Sequence, residues 1–213
     1  MQRIAKGKMR VLAIAPHPDD LEIGCGGTLA KLAAAGHAIH VVLMTGGEAG
    51  GQAGLRRREQ EAAARVYRAQ SLHWLGFADT QVPVDRASID SLDKVLKAVR
   101  PDLVFANFSN DTHQDHRATA SIVLSATRYA HNVLFYEVPT SVDFNPDVFV
   151  DITGAALKAK FRALKAHKSQ VHQVRVGQLS IIDVAVAMAH FRGYQGRVEA
   201  AEGFKALRLL LKA

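Results

Sequence analysis

The chain reads as a single-domain α/β fold, a mostly parallel sheet with helices on both faces. Three features point there: short apolar runs rich in Val, Ile and Leu, helix-length segments between them, and Gly or Pro at the junctions. With 213 residues, the chain is long enough to bury a core without disulfide or metal staples. Met9–Ala15 (MRVLAIA) is bounded by charge and by Pro16, and reads as a buried strand. Thr28–Ala35 reads as a helix stopped by Gly36 in the C′ position. His40–Thr45 is a second strand ended by Gly46-Gly47, and Leu55–Ala69, rich in Ala, Arg and Glu, has helix composition. Ser71–Leu75 is a third strand. In Asp85–Val99, Ile89, Leu92, Val95, Leu96 and Val99 form a helical stripe, which Pro101 ends. Leu103–Ala106 is a fourth strand, followed by a polar loop and a helix from about His116 to Tyr129. Asn132–Val138 and Val148–Ile152 are further strands, and helices are expected at Gly154–Ser169 and Gln195–Leu211. Ile181–His190 fits helix or strand, and periodicity does not choose.

The net charge of +7 matters less than its distribution. Arg56-Arg57-Arg58 is followed at once by Glu59 and Glu61, and the cations of Lys158–Lys168 spread over a solvated helix face. Aromatic residues, at 7%, are not interleaved as a base-stacking surface requires, so no nucleic-acid partner is expected. No apolar run is long enough to span a membrane. Val11–Ala15 is too short for a secretory core, and a lone cysteine, Cys25, fits a reducing compartment; the cytoplasm is expected.

Two polar clusters stand out. Pro16-His17-Pro18-Asp19-Asp20-Leu21-Glu22 directly follows the first strand, and Asp111-Thr112-His113-Gln114-Asp115-His116 follows the fourth. Crowding acids beside a buried strand is costly unless a cation sits among them. The prolines are expected to hold the first cluster extended rather than helical. Loops after parallel strands share the carboxyl edge of the sheet, where ligands bind, so clusters far apart in sequence meet in space. Two histidines and a carboxylate with an open position make a hydrolytic zinc site, and the same set serves iron(II). His17, Asp20 and His116 are the chosen ligands, leaving Asp19 and His113 for proton transfer. Taken singly, such residues are commonly caps or surface side chains; the pairing of clusters carries the reading.

These residues resemble the PIG-L/LmbE-like family of metal-dependent N-deacetylases. The first signature stands as Pro16–Glu22 with Gly24-Cys25-Gly26-Gly27-Thr28 behind it, and the second as His113-Gln114-Asp115-His116, with Gln where Pro is commoner. Weaker likenesses run on through Arg56–Glu59, Phe149–Ile152, His167–Gln170, Arg192-Gly193 and Ala201–Phe204. The resemblance implies a Rossmann-like sheet and a metal on His17, Asp20 and His116. It also implies Asp19 as general base and His113 as electrophilic or acid partner oriented by Asp115. Arg56 takes the place of a substrate-contacting arginine, with Arg57 and Arg58 adjacent. The implied substrate is an N-acetylated amino sugar or conjugate, and the implied assembly a homo-oligomer.

Other readings fall away or stay as rivals. The glycine run fails the dinucleotide pattern, because Leu29 holds the third glycine position; small residues there suit close helix–sheet packing. Cys25 and the remaining histidines, His167 among them, read as structural. An amidase for another acyl amide, or an idle metal- or sugar-binding module of the same fold, remains the alternative.

Overall fold

A computed structural model describes residues 7–171 and 176–210. Seven strands form one sheet in the order β3-β2-β1-β4-β5-β7-β6. In chain order these are β1 Arg10–Ala15, β2 Ala38–Thr45, β3 Ser71–Phe77, β4 Leu103–Asn107, β5 Val133–Tyr136, β6 Val148–Asp151 and β7 Ala201–Arg208. The first five are parallel, whereas β7 runs antiparallel between β5 and β6. The helices are α1 Asp20–Gly24, α2 Gly26–Ala34, α3 Ala53–Val66, α4 Arg86–Val99, α5 Gln114–Ala126, α6 Ala155–Leu164, α7 Lys168–Val171 and α8 Ile181–Gly196.

Alternation along β1 explains the layers. Val11, Ala13 and Ala15 enter a core with Leu21, Leu29, Ala63 and Leu164, from α1, α2, α3 and α6. Leu12 and Ile14 enter a second core with Leu92, Val95, Val99, Ile122 and Val123, from α4 and α5. Both faces of the strand are covered, so it reads as one unbroken apolar run. Because the chain leaves β1 for β2 on one side and reaches β4 on the other, a crevice opens at the carboxyl ends of β1 and β4.

The glycine-rich turn packs tightly against the sheet, as its composition implied. A Cβ on Gly24 would stand 2.0 Å from Tyr136 Cδ2. The Tyr136 ring is itself fixed, its hydroxyl donating to the Ile14 carbonyl at 2.9 Å. Gly24→Ala is therefore expected to destabilise the fold by about 1–3 kcal/mol through overpacking, read as a lower denaturation midpoint at unchanged m-value.

Three expectations are corrected. Gln195–Leu211 is not a helix: α8 ends at Gly196, and Ala201–Arg208 pairs as β7 with two neighbours. Its Ala, Leu and Lys favour helix locally, but strand pairing and the burial of Phe204 override that preference. Leu211 and His172 lie outside the described residues. Gly154–Ser169 divides into α6 and α7 rather than running on. Asp20, expected in an extended segment, opens the short helix α1. The undecided Ile181–His190 is helix, started by a capping box between Ser180 and Asp183.

Candidate metal centre

Both polar clusters meet at the crevice. His17 and Asp20 come from the turn between β1 and α1, and His116 from the first turn of α5, whose N-cap is His113. His17 Nδ1 lies 3.3 Å from Asp20 Oδ2, and His116 Nε2 lies 3.4 Å from the same oxygen. Ligand atoms bound tetrahedrally to zinc at ~2.0–2.1 Å stand roughly 3.3 Å apart, and both separations from Asp20 are of that size. All three residues are buried.

A carboxylate stands behind each of these two imidazoles. His17 Nε2 is 2.9 Å from Asp79 Oδ1 and 3.1 Å from Asp115 Oδ2, and His116 Nδ1 is 3.2 Å from Asp111 Oδ2. Asp115 is fixed in turn by the backbone N–H groups of Thr80 at 2.6 Å and Val82 at 3.1 Å. Ser141 Oγ donates to Asp111 at 3.2 Å. Carboxylate–histidine pairs of this kind orient metal-binding imidazoles and make them more basic.

His113 is built differently. Its ring centroid lies 4.7 Å from that of His17 and 4.8 Å from that of His116. Its Nδ1 accepts the backbone N–H of Asp115 at 3.2 Å. An accepting Nδ1 carries no proton, so in the neutral ring Nε2 is the protonated nitrogen and can donate. Burial, followed by the neighbouring His17 and His116, pushes His113 below the ordinary histidine pKa. Asp115 thus meets His113 through its backbone N–H, while its carboxylate lies against His17.

The carboxylates of the cluster favour positive charge on both imidazoles. Burial opposes charge on His17, yet Asp115, Asp20 and Asp79 raise its pKa to about 11. Burial opposes charge on His116 too, yet Asp20 and Asp111 raise it to about 9. A divalent ion would supply the same positive charge once those protons leave. Among the described residues, two groups hold donor atoms within 4.8 Å of one another: His17, His113 and His116, and His17, Asp79 and Asp115. Asp20 belongs to neither group: the first joins His17 and His116 to His113, and the second joins the Nε2 side of His17 to two carboxylates.

Asp19 stands apart from these contacts. Burial and the adjacent Asp20 raise its pKa to about 6 against the pull of Arg56. Arg56, expected to touch substrate, is buried, and its guanidinium is committed elsewhere. Nη1 donates to the Gly47 carbonyl at 2.8 Å, and Nη2 to the Pro18 carbonyl at 2.6 Å and Asp19 Oδ2 at 3.3 Å. Gly47, at φ +68°, lies directly over it, where a Cβ would be 2.3 Å from Nη1. Arg57 reaches Glu61 at 3.4 Å and lies over Trp74, and Arg58 is exposed.

The sequence reading missed Asp79 and gave Asp111 no role, although Asp79 follows β3 at the same sheet edge, where a count of carboxylates finds it. His167, read as structural, is buried 3.2 Å from Glu22 Oε2. The glycine-rich turn holds a carboxylate of the chain's own. Glu202 accepts the N–H of Gly27 at 2.9 Å and of Thr28 at 2.7 Å, and Lys160 Nζ at 2.6 Å. The anion site at the start of α2 is therefore filled from β7.

The sequence profile described as PIG-L: GlcNAc-PI de-N-acetylase matches residues 12–127. An uncharacterized deacetylase of Escherichia coli K12, YaiS, is 34% identical over 173 residues, covering 78% of this chain and 94% of that protein. A diacetylchitobiose deacetylase of Thermococcus kodakarensis is 31% identical over 187 residues, covering 76% of this chain and 70% of its own length. A 4-oxalmesaconate hydratase of Pseudomonas putida is 28% identical over 192 residues, covering 76% of this chain and 74% of that protein.

Proposed function

This chain belongs to the PIG-L (GlcNAc-PI de-N-acetylase) family, and from that premise we propose a zinc-dependent hydrolase that removes the acetyl group from an N-acetylated amino sugar or sugar conjugate. The observation that carries the reading is the single Asp20 oxygen within 3.4 Å of both His17 and His116, with a carboxylate behind each ring. His17, Asp20 and His116 hold the metal, and the whole chain acts as one deacetylase domain. A zinc ion there supplies positive charge that acidifies a water and polarises a carbonyl.

The protein's own groups handle the protons. Asp19 takes the proton of the attacking water as the carbon–oxygen bond forms. His113 donates its Nε2–H to the oxygen on which negative charge develops, acting as a neutral donor rather than an imidazolium. As the carbon–nitrogen bond breaks, Asp19 passes its proton to the leaving amine and regains its charge for the next cycle. Asp115 and Asp111 hold His17 and His116 in register and need not titrate. Arg56 supports Asp19 instead of the substrate.

The test is release of acetate from a panel of monosaccharide, chitobiose-type and thiol-sugar N-acetyl compounds, with other acyl amides and 4-oxalmesaconate alongside. Acetate from an amino sugar supports the proposal. Turnover of another amide alone moves the assignment to an amidase, and water addition to 4-oxalmesaconate alone moves it to the chemistry named for the Pseudomonas relative. No turnover, with metal or sugar still bound, leaves a binding module. His17→Ala and His116→Ala are expected to lose bound metal along with turnover, measured by elemental analysis of protein purified without a metal-affinity step; zinc rather than iron is expected in the parent.

No described helix is long and apolar enough to cross a membrane. The buried free thiol of Cys25 agrees with a cytoplasmic setting. A homo-oligomer without nucleic acid completes the proposal.

A further inference from the structure

The geometry points to Gln60 as a positioning residue for Asp19, holding the backbone there in a left-handed conformation that keeps its carboxylate out of the α1 cap. The inference rests on the reading of Asp19 as the proton acceptor.

Asp19 is the N-cap of α1, yet its φ is +94° and ψ is −26°, and its side chain makes no cap hydrogen bond. Aspartate is among the preferred N-cap residues, and in the usual extended conformation its carboxylate would accept an N–H from the first turn. A left-handed non-glycine residue is strained and persists only where its surroundings fix it. Here they do so through two side chains one turn apart on α3. Gln60 Oε1 accepts the Asp19 N–H at 3.3 Å. Arg56 Nη2 donates to the Pro18 carbonyl at 2.6 Å, on the other side of the same peptide unit. The unit that sets φ of Asp19 is gripped at both its polar atoms.

Gln60 cannot turn its amide over. It is fully buried, and its Nε2 donates to Glu22 Oε1 at 2.8 Å, where Tyr67 Oη also donates at 2.8 Å. An ionised carboxylate only accepts, so the amide nitrogen must face Glu22 and the amide oxygen must face Asp19. Glu22 is held from its other oxygen by His167 at 3.2 Å. His167, Glu22 and Gln60 thus form one buried line that ends on the Asp19 backbone. Gln60 belongs to no metal-donor group and touches Asp19 through the main chain, which separates its role from ligation.

Gln60→Met keeps the length and removes the hydrogen bonds to the Asp19 N–H, to Glu22 and to Tyr67. With metal content and KM near the parent values, kcat is expected to fall about 10–100-fold, the scale of a misplaced reacting group. Amide hydrogen exchange at Asp19 is expected to accelerate. The exchanged pair Gln60→Glu with Glu22→Gln restores an acceptor for Asp19 and a donor between the two side chains, and is expected to recover kcat to within about threefold. Parent-like kcat in folded Gln60→Met, in a protein where Asp19→Asn is inactive, overturns the inference. So does an equal fall of metal content, thermal midpoint and kcat, which marks a purely structural role. Where Gln60→Met does not fold, the exchanged pair decides: loss of kcat in that folded, metal-loaded variant overturns the inference. An active Asp19→Asn protein removes the reading of Asp19 instead, a distinct outcome.

Discussion

Asp19→Asn is expected to lower kcat by about 10²–10⁴-fold, the usual worth of a positioned general base. That corresponds to roughly 3–5 kcal/mol of lost transition-state stabilisation. The amide has the shape of the carboxylate but cannot accept the water's proton at neutral pH. Asparagine also tolerates positive φ, so the +94° backbone at this position is retained. Asp19 makes no contact with His17 or His116 of the kind Asp20 makes, so bound metal is expected to stay at the parent level. The pairing of undiminished metal with collapsed kcat separates Asp19 from the ligands, and elemental analysis beside acetate release reads both. A variant retaining near-parent turnover would refute the mechanism.

The second large effect concerns stability. Glu202→Gln is expected to destabilise the protein by about 3–5 kcal/mol, the cost of leaving one member of a buried ion pair uncompensated. The hydrogen-bond partners of the Glu202 carboxylate are donors: the Gly27 and Thr28 N–H groups and Lys160 Nζ. An amide NH₂ in place of either oxygen faces donors instead of accepting from them, and the Lys160 ammonium, 2% exposed, loses its counter-charge. For a chain of this size that loss lowers Tm by roughly 6–20 °C. Adding Lys160→Met to Glu202→Gln should regain more than half the loss, because no unpaired charge is then buried. Calorimetry of the two variants measures it; equal Tm for both would show that the ion pair is not the cause.

The parallel part of the fold could be read ahead of the structure because its signals are local. Leu12 and Ile14 face one core and Val11 and Ala13 the other, so β1 is apolar throughout, and Asp85 opens α4 with a side-chain cap. The proposed ligands were readable for a similar reason: His17 and Asp20 directly follow β1, and His116 lies in the first turn of the helix after β4. β7 was not. Ala201–Arg208 carries helix-forming residues, and its strand conformation comes from pairing with β5 and β6, remote in sequence. The part played by Asp115 was likewise hidden, since two residues separate it from His113 but ninety-eight from His17.

By its order of residues alone, this protein fixes an α/β chain with an acidic, histidine-bearing turn at each of two strand ends. Tertiary structure alone decided which carboxylate stands behind which imidazole, that Arg56 is buried beneath a glycine loop, and that Glu202 fills the anion site of α2. Strand periodicity and helix caps act over a few residues and are written locally. Hydrogen-bond partners and charge neighbours depend on where the sheet brings distant segments together.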